Sequence, residues 1–156
     1  MRRTTIEEQL AKVRHRVEEL HASGDLPRLR RHLELVDDLE QKLAQLRARL
    51  DVAERSLAAD ASGNWATYAD AVSAELESWD TYLERLQTIA ATRGWHARER
   101  AEAEIRDVRS HRIALDERLA QARDAAGNCW QEQRQRVSAA RDELEQKADK
   151  LSAKLG

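Results

Sequence analysis

One stretch decides the fold of this chain: residues 86–105, which read LQTIAATRGWHARERAEAEI. A glycine that ends one helix is usually followed by a short polar residue that caps the next. Gly94 is instead followed by Trp95 and His96, and neither is a good cap. The apolar positions on both sides of the glycine keep a helical phase, with steps of four from 97 to 101 to 105. We therefore predict that Gly94 lies inside one continuous helix.

Three other glycines do have a polar residue next to them, and each pair predicts a turn between two helices. The pairs are Gly24-Asp25, Gly63-Asn64 and Gly127-Asn128. Apolar residues recur at spacings of three and four between these turns, which is typical of amphipathic helices. We predict four helices, at about residues 4–22, 26–61, 65–126 and 129–155, with no strands. The third is about 62 residues long.

The predicted helix lengths define an architecture. At about 1.5 Å per residue, the third helix is about 93 Å long, and the second and fourth together nearly match it. Short turns make consecutive helices antiparallel neighbours. We expect a single all-α domain over residues 1–156, an elongated antiparallel coiled coil made of an N-terminal hairpin, 1–63, and a second hairpin, 64–156. Because a two-helix seam buries little, we expect a homodimer in which helices three and four pair with their symmetry mates.

Composition and charge exclude several classes of protein. The chain has 156 residues, of which 41% are hydrophobic and 36% charged, and its net charge is −2. A membrane span needs about 20 consecutive apolar residues, and the apolar runs of this chain are far shorter. No signal peptide is recognisable, so we expect a cytoplasmic protein. Acidic residues interleave with basic ones throughout, and we therefore expect no nucleic-acid partner.

Candidate chemistry is sparse. No nucleophile elbow, phosphate loop or metalloprotease motif occurs, so we predict that the protein is not an enzyme and needs no cofactor. Glu18 and His21 form a single Glu-x-x-His, whereas carboxylate-bridged metal bundles need two, and we predict no metal site. Cys129, the single cysteine, falls at a predicted helix N-terminus, where a lowered thiol pKa would make it a candidate reactive thiol. The alternative is that Cys129 is a small residue that packs at a tight turn and has no chemical role.

The middle of the predicted long helix carries the candidate contacts for a partner. Trp95 lies beside Gly94 and could either fill space between helices or contact another protein. A weakly basic stretch follows it, in which Arg106, Arg109 and Arg112 could meet an acidic partner. The same arginines could instead form the solvated flank of a coiled coil.

Three stretches of the C-terminal half carry a family resemblance. They are Leu76-Glu77-Ser78-Trp79, the run from Glu104 to Arg112 with Leu115 and Leu119 after it, and Ala126-Gly127-Asn128-Cys129-Trp130. Over residues 68–155 the chain resembles small bacterial coiled-coil proteins loosely labelled stress-response proteins. The resemblance implies a long helical hairpin that turns at Gly127, and it implies no assigned molecular function.

These observations favour a non-enzymatic scaffold, adaptor or stress-linked binding module that acts through helical surfaces and self-association with an unidentified protein partner. One alternative is a chaperone-like or lipid-surface binder whose helices open to expose their apolar stripes. Another is a metal or thiol redox protein that uses Glu18, His21 or Cys129.

Overall fold

The computed structural model describes residues 3–124 and 130–155, and within them the chain forms five α-helices and no strand. The prediction of an all-α protein is confirmed. The helices are α1 (Arg3–Ser23), α2 (Leu26–Asp60), α3 (Trp65–Ala90), α4 (Trp95–Asp124) and α5 (Trp130–Leu155). None of the described helices combines the length and the apolar run that crossing a membrane requires.

The first two turns form where the sequence predicts them. Gly24 has φ +76°, a left-handed conformation that suits glycine at a helix C-terminus, and its N–H donates to the Leu20 carbonyl at 3.1 Å. Asn64 caps α3, because its side-chain oxygen accepts from the Thr67 N–H at 2.9 Å. The predicted turn at Gly127-Asn128 lies outside the described residues.

The prediction of a third helix of about 62 residues is wrong. The helix ends at Ala90, a tight turn follows, and α4 begins at Trp95. Contacts between the two helices show that α4 runs back along α3: Arg112 pairs with Asp80 at 2.9 Å, and Arg123 pairs with Asp70 at 3.1 Å. The predictions of four helices and of one continuous helix through Gly94 are therefore also wrong.

The turn at residues 91–94 has a local and a global cause. Thr92 closes α3 by donating from its hydroxyl to the Ile89 carbonyl at 2.6 Å, and Gly94 opens α4 by accepting from the Arg98 N–H at 2.9 Å. Glycine itself is tolerated at the N-cap, so a polar side chain was not needed there. Reversal also lets the apolar stripes of α3 and α4 pack on each other, which contributes more to helix stability than propensity does.

The chain packs into two compact units, Met1–Arg47 and Ala48–Gly156, and the division falls inside α2. The first unit is an antiparallel hairpin of α1 and the first part of α2, in which Arg14 pairs with Glu40 and Arg47 pairs with Glu7.

The second unit is an up-and-down bundle of the end of α2 with α3, α4 and α5. Helices α4 and α5 are antiparallel, since Lys154 pairs with Glu104 at 2.7 Å and Lys147 pairs with Asp107 at 3.2 Å. Helices α2 and α5 are also antiparallel, since Arg49 pairs with Asp149 at 3.1 Å and Arg141 pairs with Asp60 at 3.0 Å. Its core joins all four segments and includes Val52, Trp79, Leu119 and Leu144, each at most 2% exposed. With four segments from one chain closing this core, the reason for pairing helices three and four with symmetry mates disappears.

Candidate interaction surfaces

The apolar core of the first unit is thin. Its cluster of buried residues consists of Ile6 and Leu10 from α1 and Leu39 and Leu43 from α2. Val13, Val36 and Leu46 pack against this cluster while remaining partly exposed. Leucines on the same stretch of α2 stay in solvent: Leu26 is 70% exposed, Leu33 47% and Leu35 43%. Three leucines of this hairpin are therefore accessible to a partner.

One face of this hairpin forms a shallow groove of about 430 Å³ between the two helices. Its floor is made of Leu10 and Ala11 from α1 and of Leu43 and Ala44 from α2. The small alanine side chains leave room for another helix to approach closely. We call this surface the hairpin groove.

Charged side chains occupy the four corners of the hairpin groove. Arg14 Nη2 donates to Glu40 Oε1 at 2.6 Å, and Arg47 Nη2 lies 3.5 Å from Glu7 Oε1. All four side chains are 40–58% exposed. Each helix thus contributes one acid and one base, and each ion pair crosses the groove from one helix to the other.

The groove is built from a repeated motif. Residues 7–14 read EEQLAKVR and residues 40–47 read EQKLAQLR, so both segments contain Glu-x-x-Leu-Ala-x-x-Arg. Because the two helices are antiparallel, the glutamate of each copy meets the arginine of the other. This surface was not predicted, although the repeat of the motif at an offset of 33 residues is visible in the sequence.

Trp95 is 71% exposed, and it is the first residue of α4, directly after the turn. The side chains near it are engaged locally: Arg98 Nε donates to Glu102 at 2.8 Å, and Arg100 Nε donates to the His96 carbonyl at 3.4 Å. This exposure excludes the interpretation that Trp95 fills space between helices. Its role as a partner contact stays a prediction.

The predicted arginines do not gather around Trp95. Arg106 is exposed on α4 about three turns away from the tryptophan. Arg109 donates to the Gln87 side chain at 2.8 Å, and Arg112 pairs with Asp80 of α3 and with Asp116. The side chain of Arg112 is only 18% exposed. Arg109 and Arg112 therefore join α4 to α3, and of the three arginines Arg106 is left facing solvent.

A buried ion pair lies in the bundle of the second unit. Arg141 Nε donates to Glu75 Oε2 at 2.6 Å, and the two residues are 5% and 2% exposed. Arg141 also donates to Asp60 at 3.0 Å and to the Ser56 hydroxyl at 2.9 Å, so one guanidinium joins α5 to both α2 and α3. Tyr68 lies beside it, with its ring centroid 5.7 Å from the guanidinium carbon.

Burial raises the pKa of Glu75, and this effect exceeds the opposing attraction of Arg141. The Trp79 indole N–H also favours the charged carboxylate, although it forms no hydrogen bond of good geometry. Burial lowers the pKa of Arg141, but Glu75, Tyr68 and Asp60 more than offset this, and the net direction is upward. The guanidinium therefore stays charged. We interpret this cluster as an internal link between three helices, because Glu75 and Arg141 are both buried and the partners of Arg141 lie on α2 and α3.

The residues considered for metal chemistry lie on the exposed side of α1. Glu18 and His21 are both exposed on α1, and His15 pairs with Glu19 at 3.1 Å. Across residues 3–124 and 130–155, no three His, Cys, Asp or Glu side chains are grouped so that they could hold a metal ion. Cys129, the candidate reactive thiol, lies outside the described residues.

No protein-family model, no curated protein and no solved structure matches this chain. The resemblance of residues 68–155 to bacterial stress-response proteins therefore stays a prediction.

Proposed function

We propose that this protein is a non-catalytic helical scaffold or adaptor that binds protein through helical surfaces and associates with itself. The observation that carries the proposal is the contrast between its two units. The second unit has an apolar core formed by four helical segments, whereas the buried cluster of the first unit consists of four residues among those that the structure describes.

The unit Met1–Arg47 is in the size range in which a single apolar core supplies only a small net free energy of folding. Ordering its backbone costs conformational entropy that few buried side chains offset. Contact with a further protein surface would bury the remaining apolar area, including Leu26 and Leu33. Self-association supplies such a surface wherever the protein is present.

Trp95 is the second candidate contact, since an exposed tryptophan offers a large apolar surface to a partner. Arg106, exposed on the same helix, adds a positive charge that would favour an acidic region of that partner.

The test of self-association is the mass of the full chain in sedimentation equilibrium, measured over about 1–100 μM, the range of typical weak to moderate protein affinities. We expect the mass to rise from the chain value of 17.9 kDa towards twice that value. A mass that remains at the chain value over the whole range would refute the proposal.

A further inference from the structure

The four charged corners of the hairpin groove alternate in sign. Following the rim, Glu7 and Arg14 lie along α1, and Glu40 and Arg47 lie along α2. Every corner therefore has neighbours of opposite charge, and the two diagonals are Glu7 with Glu40 and Arg14 with Arg47. This arrangement follows from the repeated motif on two antiparallel helices.

Such a pattern is complementary to itself. If a second groove faces the first about a two-fold axis along the helices, Glu7 meets the partner's Arg47, and Arg14 meets the partner's Glu40. If the axis lies across the helices, Glu7 meets the partner's Arg14, and Glu40 meets the partner's Arg47. In both cases every corner meets an opposite charge, and the facing helices are antiparallel.

The same pattern opposes other arrangements. If the two-fold axis runs along a diagonal of the groove, the helices of one copy cross those of the other at a large angle. Each corner then faces a like charge. Like charges brought together at an interface disfavour that complex, and opposite charges favour the correct one. The charges thus select near-parallel packing of two hairpins, which is the geometry of four-helix bundles.

The floor of the groove suits the same occupant. Ala11 and Ala44 lie at its centre, beside Leu10 and Leu43. Two such floors placed together would bring alanines and leucines of two hairpins into contact, so that each thin core becomes half of a larger one. An interface whose two sides are the same patch is the usual form of a homodimer.

We propose that the hairpin groove is the surface through which two copies of this chain associate, face to face about a two-fold axis that runs either along or across the helices. This inference rests on the self-association put forward above and assigns it to named residues.

The first experiment places one charge on the groove floor. Ala11 is exposed on α1, so Ala11→Glu leaves the described packing of the monomer unchanged, but in a dimer it buries two acids near the centre. Ala103→Glu, exposed on α4, adds the same charge elsewhere and is the matched control. We expect Ala11→Glu to raise the dimer dissociation constant at least about tenfold and Ala103→Glu to leave it near that of the wild type.

The second experiment tests the corners. The variant E7R/R14E/E40R/R47E exchanges every sign, so it keeps both ion pairs within the chain and remains complementary to itself. In both near-parallel arrangements it places like charges against the wild type at every corner. We expect it to dimerise like the wild type, and we expect a mixture with wild type carrying a mass tag to contain far fewer mixed dimers than random exchange gives, by native mass spectrometry.

The outcomes separate the two proposals. A wild-type chain that remains monomeric overturns both self-association and this interface. If the wild type dimerises, equal dissociation constants for the Ala11→Glu and Ala103→Glu variants, or free mixing of the charge-exchanged variant with the wild type, overturn the assignment to the hairpin groove alone.

Discussion

Arg141 shows at the scale of a residue how charge can occupy the core of this protein. It lies on the apolar side of α5, between Val137 and Leu144, which are both fully buried. Its guanidinium is retained there by Glu75, Asp60 and Ser56, which belong to two other helices. A buried charge with several partners costs far less than one left alone.

Replacement of Arg141 by methionine keeps the volume and leaves Glu75 without its cation. We expect the free energy of unfolding to fall by about 3–5 kcal/mol at roughly pH 7, measured by urea denaturation. Burial already raises the pKa of Glu75, and loss of the guanidinium raises that pKa further. A carboxyl group with a raised pKa in the folded state stabilises the protein below its unfolded pKa, and this stability is lost as the pH rises through the folded pKa. The deficit should therefore be smaller at roughly pH 5.

The control is Glu75→Gln combined with Arg141→Met, which removes the buried carboxyl group and leaves at this site only Asp60, whose side chain is exposed. Its deficit should vary much less between the two pH values. A deficit of Arg141→Met that is the same at both would contradict the assignment of a buried, cation-dependent Glu75.

The sequence contained a signal for this residue that our sequence analysis did not use. Arg141 falls in phase with Val137, Leu144 and Leu151, and an arginine at such a position is either solvated or paired inside the core. Its partners could not be inferred, because Glu75 and Asp60 are distant in sequence and meet Arg141 only through the arrangement of helices.

At the scale of an element, the helices that end in recognisable caps were predictable and the helix that ends without one was not. Gly24 and Asn64 were identified correctly because a positive φ and a side-chain cap both leave a trace in the sequence. Gly94 has no positive φ, and it opens α4 through its backbone carbonyl alone. The helical phase across residues 90–105 persisted because α3 and α4 each direct an apolar stripe into the same core, so phase could not reveal the turn.

The reversal at residues 91–94 is measurable as a distance. We expect spin labels on Glu77→Cys and Glu117→Cys, both exposed, to lie about 30 Å apart or less, since packed helix axes are about 8–10 Å apart and the labels add their own length. A continuous helix would separate the two positions by about 60 Å. The measurement is double electron–electron resonance in a Cys129→Ser background, and a distance near the longer value would contradict the turn.

At the scale of the whole molecule, the chain contains two units whose apolar cores differ in size. The larger has aromatic residues in its core, among them Trp79 and Tyr82 in edge-to-face contact at 5.7 Å. Among the described residues, the buried cluster of the smaller unit is aliphatic. The sequence predicted helices with apolar stripes for both units. The size of each core depends on which stripes pack together, and this could not be predicted because the turn between α3 and α4 was not predicted.

The hairpin groove was likewise open to prediction only in part. The repeat of Glu-x-x-Leu-Ala-x-x-Arg is visible in the sequence, and so is the antiparallel order of two helices joined at Gly24. Which face of each helix remains uncovered is not visible, because Leu10 and Leu43 belong both to the core and to the groove floor.

The most direct test of an incomplete hairpin is amide hydrogen exchange over a dilution series, with the two units compared within one sample. Exchange protection reports the free energy of local opening, and a partner that binds the folded hairpin adds to it by mass action. We expect protection over residues 6–20 and 36–46 to increase with protein concentration, while protection around Leu76 and Val108 in the bundle remains constant. Protection of the hairpin that is equally high at every dilution would contradict the view that this unit is completed by a second copy.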